Sequence, residues 1–160
     1  MILVTVGASQ FPFDRLLRSC AVLAGGERLV VQHGCSEVRP EGAECVPFLA
    51  MDELAALVRE ARVVVTHAGV GSILLALSNG KRPVVVPRTR AHGETVDDHQ
   101  VESARRFATA GLVTLAEDPA ELPAAVAAPD TTIEARTEEP RLVRDLRDYI
   151  GAAVAAGARP

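Results

Sequence analysis

Strand and helix alternate along this chain, and the sequence predicts an α/β fold: an open parallel sheet with helices on both faces. Three observations predict it. Short runs rich in Val, Ile and Leu recur from the first residues to about residue 115. The runs are continuously apolar rather than alternating, as strands buried on both faces require. Between them lie segments with apolar residues at helical spacing, and strand–helix alternation at short intervals is the pattern of a parallel sheet with right-handed crossovers.

Residues 2–6 form the first strand and stop at Gly7. Gly7-Ala8-Ser9-Gln10 reads as a turn. Pro12 suits a helix start, and Phe13, Leu16, Leu17, Cys20 and Leu23 keep helical spacing until Gly25-Gly26. Residues 28–32 make a second strand, closed by His33-Gly34. Pro40 and Gly42 mark a loop, and residues 44–48 a short third strand. Asp52 is expected to cap or open a helix carrying Leu54, Leu57 and Val58. Residues 61–66 are the strongest strand signal and run into His67-Ala68-Gly69. A helix is expected from Gly71 or Ser72 to Ser78, stopped by Asn79-Gly80. Residues 83–86 form a strand bounded by Pro87. A polar loop from Arg88 to Asp97 follows, then a helix over 98–110 ended by Gly111, then a strand over 112–115.

From Ala116 the texture changes, with Pro119, Pro123 and Pro129 interrupting an alanine-rich stretch. Residues 1–128 read as one domain. Residues 129–160 read as a linker and an amphipathic helix over 138–156. Leu142, Val143, Leu146, Tyr149, Ile150, Ala153 and Val154 lie on one side of that helix, to pack on the domain or on a partner.

Composition narrows the function classes. The net charge is -4, from 17 basic and 21 acidic residues, which argues against a nucleic-acid partner. Aromatic residues are only 3%, too few for a base-stacking platform. The three cysteines fit neither a disulfide framework nor a zinc knuckle. No run approaches the roughly 20 apolar residues of a membrane span, and MILVTVGASQ has no signal-peptide character. A cytoplasmic protein is expected. No HExxH and no GxSxG occurs, and no metal site is expected. Cys20 is expected in the core and Cys35 in an exposed loop.

In an open α/β sheet, ligands bind beyond the carboxyl ends of the strands. Those ends carry Gly7-Ala8-Ser9, His33-Gly34 and His67-Ala68-Gly69-Val70-Gly71-Ser72. The third runs from a buried strand through small residues into a helix, so its first-turn N–H groups suit a phosphate. Ser72 would donate a hydrogen bond or simply cap the helix. With neither GxxxxGK[ST] nor GxGxxG present, a purely structural tight turn fits these residues as well. The polar loop up to Gln100 would read sugar hydroxyls, or be a solvated loop with Asp97 or Asp98 capping the helix. Arg88 and Arg90, with Lys81 and Arg82 nearby, would form a basic rim, although Lys81 and Arg82 read more readily as plain charged surface.

The succession VTVG, QHG, THAGVGSILLAL, KRPVVVPR and GETVDDHQ resembles the glycosyltransferase family 28 C-terminal domain. That domain is the second half of GT-B glycosyltransferases. The likeness covers about residues 1–128 and is closest to the short stand-alone form, the donor-binding subunit of two-part N-acetylglucosaminyl- and bacterial exopolysaccharide glycosyltransferases. It implies a Rossmann-like fold of the GT-B C-terminal type, a UDP-sugar donor and no cofactor. His67, Gly69, Gly71 and Ser72 match the diphosphate loop. His99 and Gln100 match the pair that recognises the donor sugar, with Asp98 supporting the turn. Gly7 and Ser9 match the loop facing the interdomain cleft, and Arg88 lies where a strand-end loop nears the nucleotide. Leu75 stands where many broader relatives carry an acidic residue for the ribose, so either another group such as Glu94 makes that contact or the backbone does.

One half of a cleft neither excludes water nor aligns an acceptor. The resemblance therefore implies a larger, membrane-attached partner that brings the lipid-linked acceptor and the catalytic base, recruitment to the cytoplasmic face of the membrane, and inversion at the anomeric carbon. The alternative is a noncatalytic nucleotide-sugar-binding regulatory or interaction protein.

Overall fold

The computed structural model describes residues 1–127. Six parallel strands make one sheet: β1 (Ile2–Thr5), β2 (Leu29–Gln32), β3 (Glu44–Val46), β4 (Val63–Thr66), β5 (Val84–Val85) and β6 (Thr114–Leu115). Their order is β3-β2-β1-β4-β5-β6. The helices between them are α1 (Asp14–Cys20), α2 (Met51–Glu60), α3 (Val70–Ser78) and α4 (His99–Thr109), and α5 (Leu122–Ala127) follows β6. This is the predicted α/β architecture, with the order of connection reversing between β1 and β4, the switch point beyond whose strand ends open α/β sheets bind ligands.

The continuous apolar runs are explained by burial on both faces. Ile2, Val4, Leu29, Val31, Val63, Val65 and Val84 point to one side, where Phe13, Leu16, Leu17 and Cys20 from the α1 segment and Leu122 and Val126 from α5 meet them. Leu3, Val30 and Val64 point to the other, against Val58 of α2 and Ala76 of α3. Val85 packs there with Ile73 of α3 and Ala104 of α4. Truncating a fully buried member such as Leu16 to Ala costs about 2–5 kcal/mol.

Element ends differ from the sequence reading in small ways with local causes. The helix after β1 tightens into a 3-10 turn over Ala21–Leu23. Asp52 does not cap α2: Ala50 is the N-cap residue, and its N–H donates to the Glu53 carboxylate at 2.9 Å. Helix α3 starts at Val70, before Gly71, because Gly69 holds the extended N-cap conformation. Cys20 is buried, its thiol pushed up to about 12 by burial, and Cys35 is exposed. Among the described residues, no helix is long and apolar enough to cross a membrane. The expected linker and helix after residue 128 lie outside the described residues.

Candidate functional site

Register brings the site together. Thr5 of β1 pairs with Gln32 of β2 on one side and with Thr66 of β4 on the other. The loops after these strands therefore emerge side by side at the crevice. Gln32 is 4% exposed and fully used. Its Oε1 accepts from the Thr5 hydroxyl at 2.6 Å and from Gly7 N–H at 3.1 Å, and its Nε2 donates to the carbonyls of Gly7 and Pro47. One amide thus fixes both backbone groups of Gly7, which sits at φ +75°. Ser9 turns back on its own loop, its Oγ accepting from Phe11 N–H at 3.2 Å.

His67 fills the space between the first and third turns. A Cβ on Gly7 would lie 2.6 Å from His67 Cε1, and one on Gly69 would lie 2.2 Å from Nε2. A side chain at either position would collide with the imidazole, and Gly7 is held to glycine by its φ as well. Burial, and then the nearby Arg88 guanidinium, hold the His67 pKa down to about 4. The ring is neutral at physiological pH.

Directly after this wedge, α3 begins. Its first backbone hydrogen bond from Ile73 N–H goes back to Gly69, leaving the N–H groups of Val70, Gly71 and Ser72 ahead of the helical ladder. Val70 is exposed, and a Cβ on Gly71 would meet nothing within 4 Å. Ser72 lies in the first turn and does not cap the helix. The arrangement is an uncovered helix N-terminus with unbonded donors and a favourable dipole, suited to an anion.

The loop before α4 carries the other predicted residues. Asp98 Oδ1 accepts from Arg90 N–H at 2.8 Å and so closes the turn. Asp97, not Asp98, accepts from His99 N–H, at 3.2 Å, and it also pairs with the exposed His99 ring. Those two contacts hold the Asp97 carboxyl below its ordinary value. Gln100 is half-buried, and its Oε1 accepts from Arg88 N–H at 3.3 Å.

Two expectations are corrected here. Arg88 is no part of a basic rim: it is 1% exposed. Its NH1 donates to the carbonyls of Phe11, Pro12 and Glu94, its NH2 donates to that of Val6, and the guanidinium stacks 4.6 Å over the Phe13 ring. Glu94 is 4% exposed, its two oxygens taken by the Arg15 fork at 2.9 Å and one of them also by Thr89 N–H. A carboxylate so committed has little left for a ribose hydroxyl. Leu75 packs on the Leu3–Val58 side of the sheet.

Sequence reasoning passed over Gln32, Phe13 as a cation–π partner, and Arg15. Gln32 alone carried a usable signal: a polar residue ending a fully apolar strand needs partners on the adjacent loop. Arg15 sits in the first turn of a short helix and reads like any surface charge. A shallow groove beside the crevice is lined by Pro12, Asp14, Arg15, Arg18, His92 and Glu94.

The model of the glycosyltransferase family 28 C-terminal domain matches residues 1–144. The UDP-N-acetylglucosamine transferase subunit ALG13 of Yarrowia lipolytica is 34% identical over 122 residues, 67% of this chain and 60% of that relative. The chain therefore spans about three-fifths of the curated relative it matches. The calicheamicin glycosyltransferase CalG4 superposes with a TM-score of 0.62 at 20% identity, over 99% of this chain and 44% of its own. MurG of Acinetobacter baumannii gives 0.61 at 19% identity, over 94% of this chain and 49% of its own. These two likenesses are of fold. The family match, the identity to a transferase subunit and the shared architecture agree: this chain belongs to the glycosyltransferase family 28 C-terminal domain family.

Proposed function

We propose that the chain is the donor-binding part of a two-part inverting glycosyltransferase, taking a UDP-sugar and passing its sugar to a lipid-linked acceptor in polysaccharide or glycan biosynthesis. The observation that carries this reading is the uncovered N-terminus of α3 at the crevice between β1 and β4, reached over the His67 wedge. The diphosphate would lie against the N–H groups of Val70, Gly71 and Ser72, with the Ser72 hydroxyl as a further donor. These fixed dipoles favour the charge that builds on the leaving diphosphate as the glycosidic bond breaks. His67, being neutral, shapes the loop without adding a charge that would hold the product. Gln100 and His99 would meet the sugar hydroxyls from the other side, with Asp98 keeping their turn closed.

No cofactor enters this scheme. The proton of the acceptor hydroxyl goes to a base on a larger, membrane-attached partner, which also completes the cleft and excludes water. The small subunit would then be recruited from the cytoplasm to the membrane face. The Yarrowia relative, a UDP-N-acetylglucosamine transferase subunit, makes UDP-N-acetylglucosamine the first donor to try.

The test is sugar transfer to a lipid-linked acceptor by the chain alone, the partner alone, and both together. Transfer that needs both supports the proposal. Full transfer by the partner alone overturns it. Donor binding without any effect on transfer would favour the noncatalytic regulatory reading.

A further inference from the structure

We infer that Arg88, Glu94 and Arg15 form a reciprocal clamp that positions the Asp98–His99–Gln100 segment for the donor sugar, an inference that rests on the donor-binding reading above.

Two arginines cross between the same two loops in opposite directions. Arg88 leaves the end of β5 and reaches the loop after β1, where its fork ties down the carbonyls of Val6, Phe11 and Pro12. Arg15 leaves α1 and reaches back, its fork on the Glu94 carboxylate and its NH2 on the Pro87 carbonyl at 3.0 Å. Phe13 lies between them, with Arg88 at 4.6 Å and Arg15 at 5.5 Å from its centroid. The two loops belong to β1 and β5, which are separated in the sheet by β4. The clamp therefore spans the crevice on the side of α1.

Its other end is the sugar segment. The backbone N–H of Arg88 donates to Gln100 Oε1. The N–H of the next residue, Thr89, donates to Glu94, and that of Arg90 donates to Asp98. Three successive amides thus hold the loop to the clamp and to both ends of the segment. Burying charges in this way gains little stability over an apolar replacement, because desolvation offsets the attraction. What a buried fork supplies is fixed geometry. None of these bonds reaches the Val70–Gly71–Ser72 amides, and the Arg15–Glu94 arm ends on the 88–90 backbone, so that arm acts on the sugar side of the site and not on the diphosphate side.

The experiment measures binding of UDP and of UDP-N-acetylglucosamine to the full chain by calorimetry, for wild type, Glu94→Gln and Arg15→Lys. Arg15→Lys keeps the charge without the fork and guards against a Glu94 variant that does not fold. Amide hydrogen exchange over residues 88–100 is followed on the same proteins without ligand. The clamp predicts faster exchange in that segment with unchanged exchange at residues 70–73. It also predicts a dissociation constant for UDP within about twofold of wild type and one for the sugar nucleotide weakened about tenfold, roughly the loss of one hydrogen bond to a charged or fixed group. Equal weakening of both ligands, or no change in either with unchanged exchange, overturns the clamp alone. A wild-type chain that binds neither nucleotide overturns the donor reading and the positioning role with it.

Discussion

The imidazole of His67 lies where a side chain on Gly69 would have to go: a Cβ there would fall 2.2 Å from Nε2. Gly69 has an ordinary negative φ, so the constraint is contact and not backbone conformation. Gly69→Ala is therefore expected to push the ring out of its place, at about 1–3 kcal/mol of stability. Gly7→Ala carries the same collision at 2.6 Å plus a φ of +75°, and is expected to cost about 1–2 kcal/mol more. Chemical denaturation of the two variants checks the order.

Gly71→Ala should behave in the opposite way. Its Cβ meets nothing, and its position is in the first turn of α3. Replacing Gly by Ala in a helix gains up to about 0.5–1 kcal/mol. A methyl group placed over the first-turn amides would at the same time obstruct a diphosphate. The expected outcome is a melting temperature equal to or above wild type with UDP binding weakened severalfold. Unchanged binding would place the anion elsewhere.

His67 links stability to pH. Its folded pKa of about 4 lies below the ordinary 6.5, so the unfolded chain takes up its proton first as pH falls. The stability that a neutral His67 contributes is fully present above about pH 6.5 and is lost as pH falls toward 4. Buried His33 is shifted in the same direction, by burial and then by Arg39. Comparison with His67→Gln isolates the wedge: the variant is expected to show a flatter fall in stability between pH 7 and 4.5, by about 2 kcal/mol. Equal slopes would mean that the ring accepts a proton without disturbing the crevice.

Gln100→Ala removes the acceptor of Arg88 N–H and, on the proposed function, one contact to the sugar. Stability should fall by no more than about 1 kcal/mol, since Gln100 is only half-buried. Transfer in the two-part assay should fall at least about tenfold. Loss of stability without loss of transfer would assign Gln100 to the loop alone.

The parallel sheet was readable because burial on both faces writes itself as unbroken apolar runs such as 2–6 and 61–66, and each run stops at a residue that must leave the sheet. The helix after His67 was readable for the same reason, apart from its first residue, which depends on the conformation of Gly69. What the sequence concealed was direction. Arg88 and Glu94 look like surface charges, since nothing local says that a guanidinium will turn inward and spend itself on three carbonyls of another loop and one of its own. Their partners are far away in sequence: Val6, Phe11 and Pro12 for Arg88, and Arg15 for Glu94. The glycines of the site were visible as a motif, while their physical cause, the His67 ring between them, required the register that sets β1 beside β4.

The most direct measurement is a titration of the isotope-labelled chain with UDP-N-acetylglucosamine, followed through its backbone amide resonances. A donor held at the start of α3 predicts that Val70, Gly71 and Ser72 show the largest shifts, with Gln100 and His99 next, and that UDP reproduces the first group without the second. Shifts confined to the groove of Asp14, Arg15, Arg18 and His92, with the α3 amides unmoved at saturation, would contradict the account.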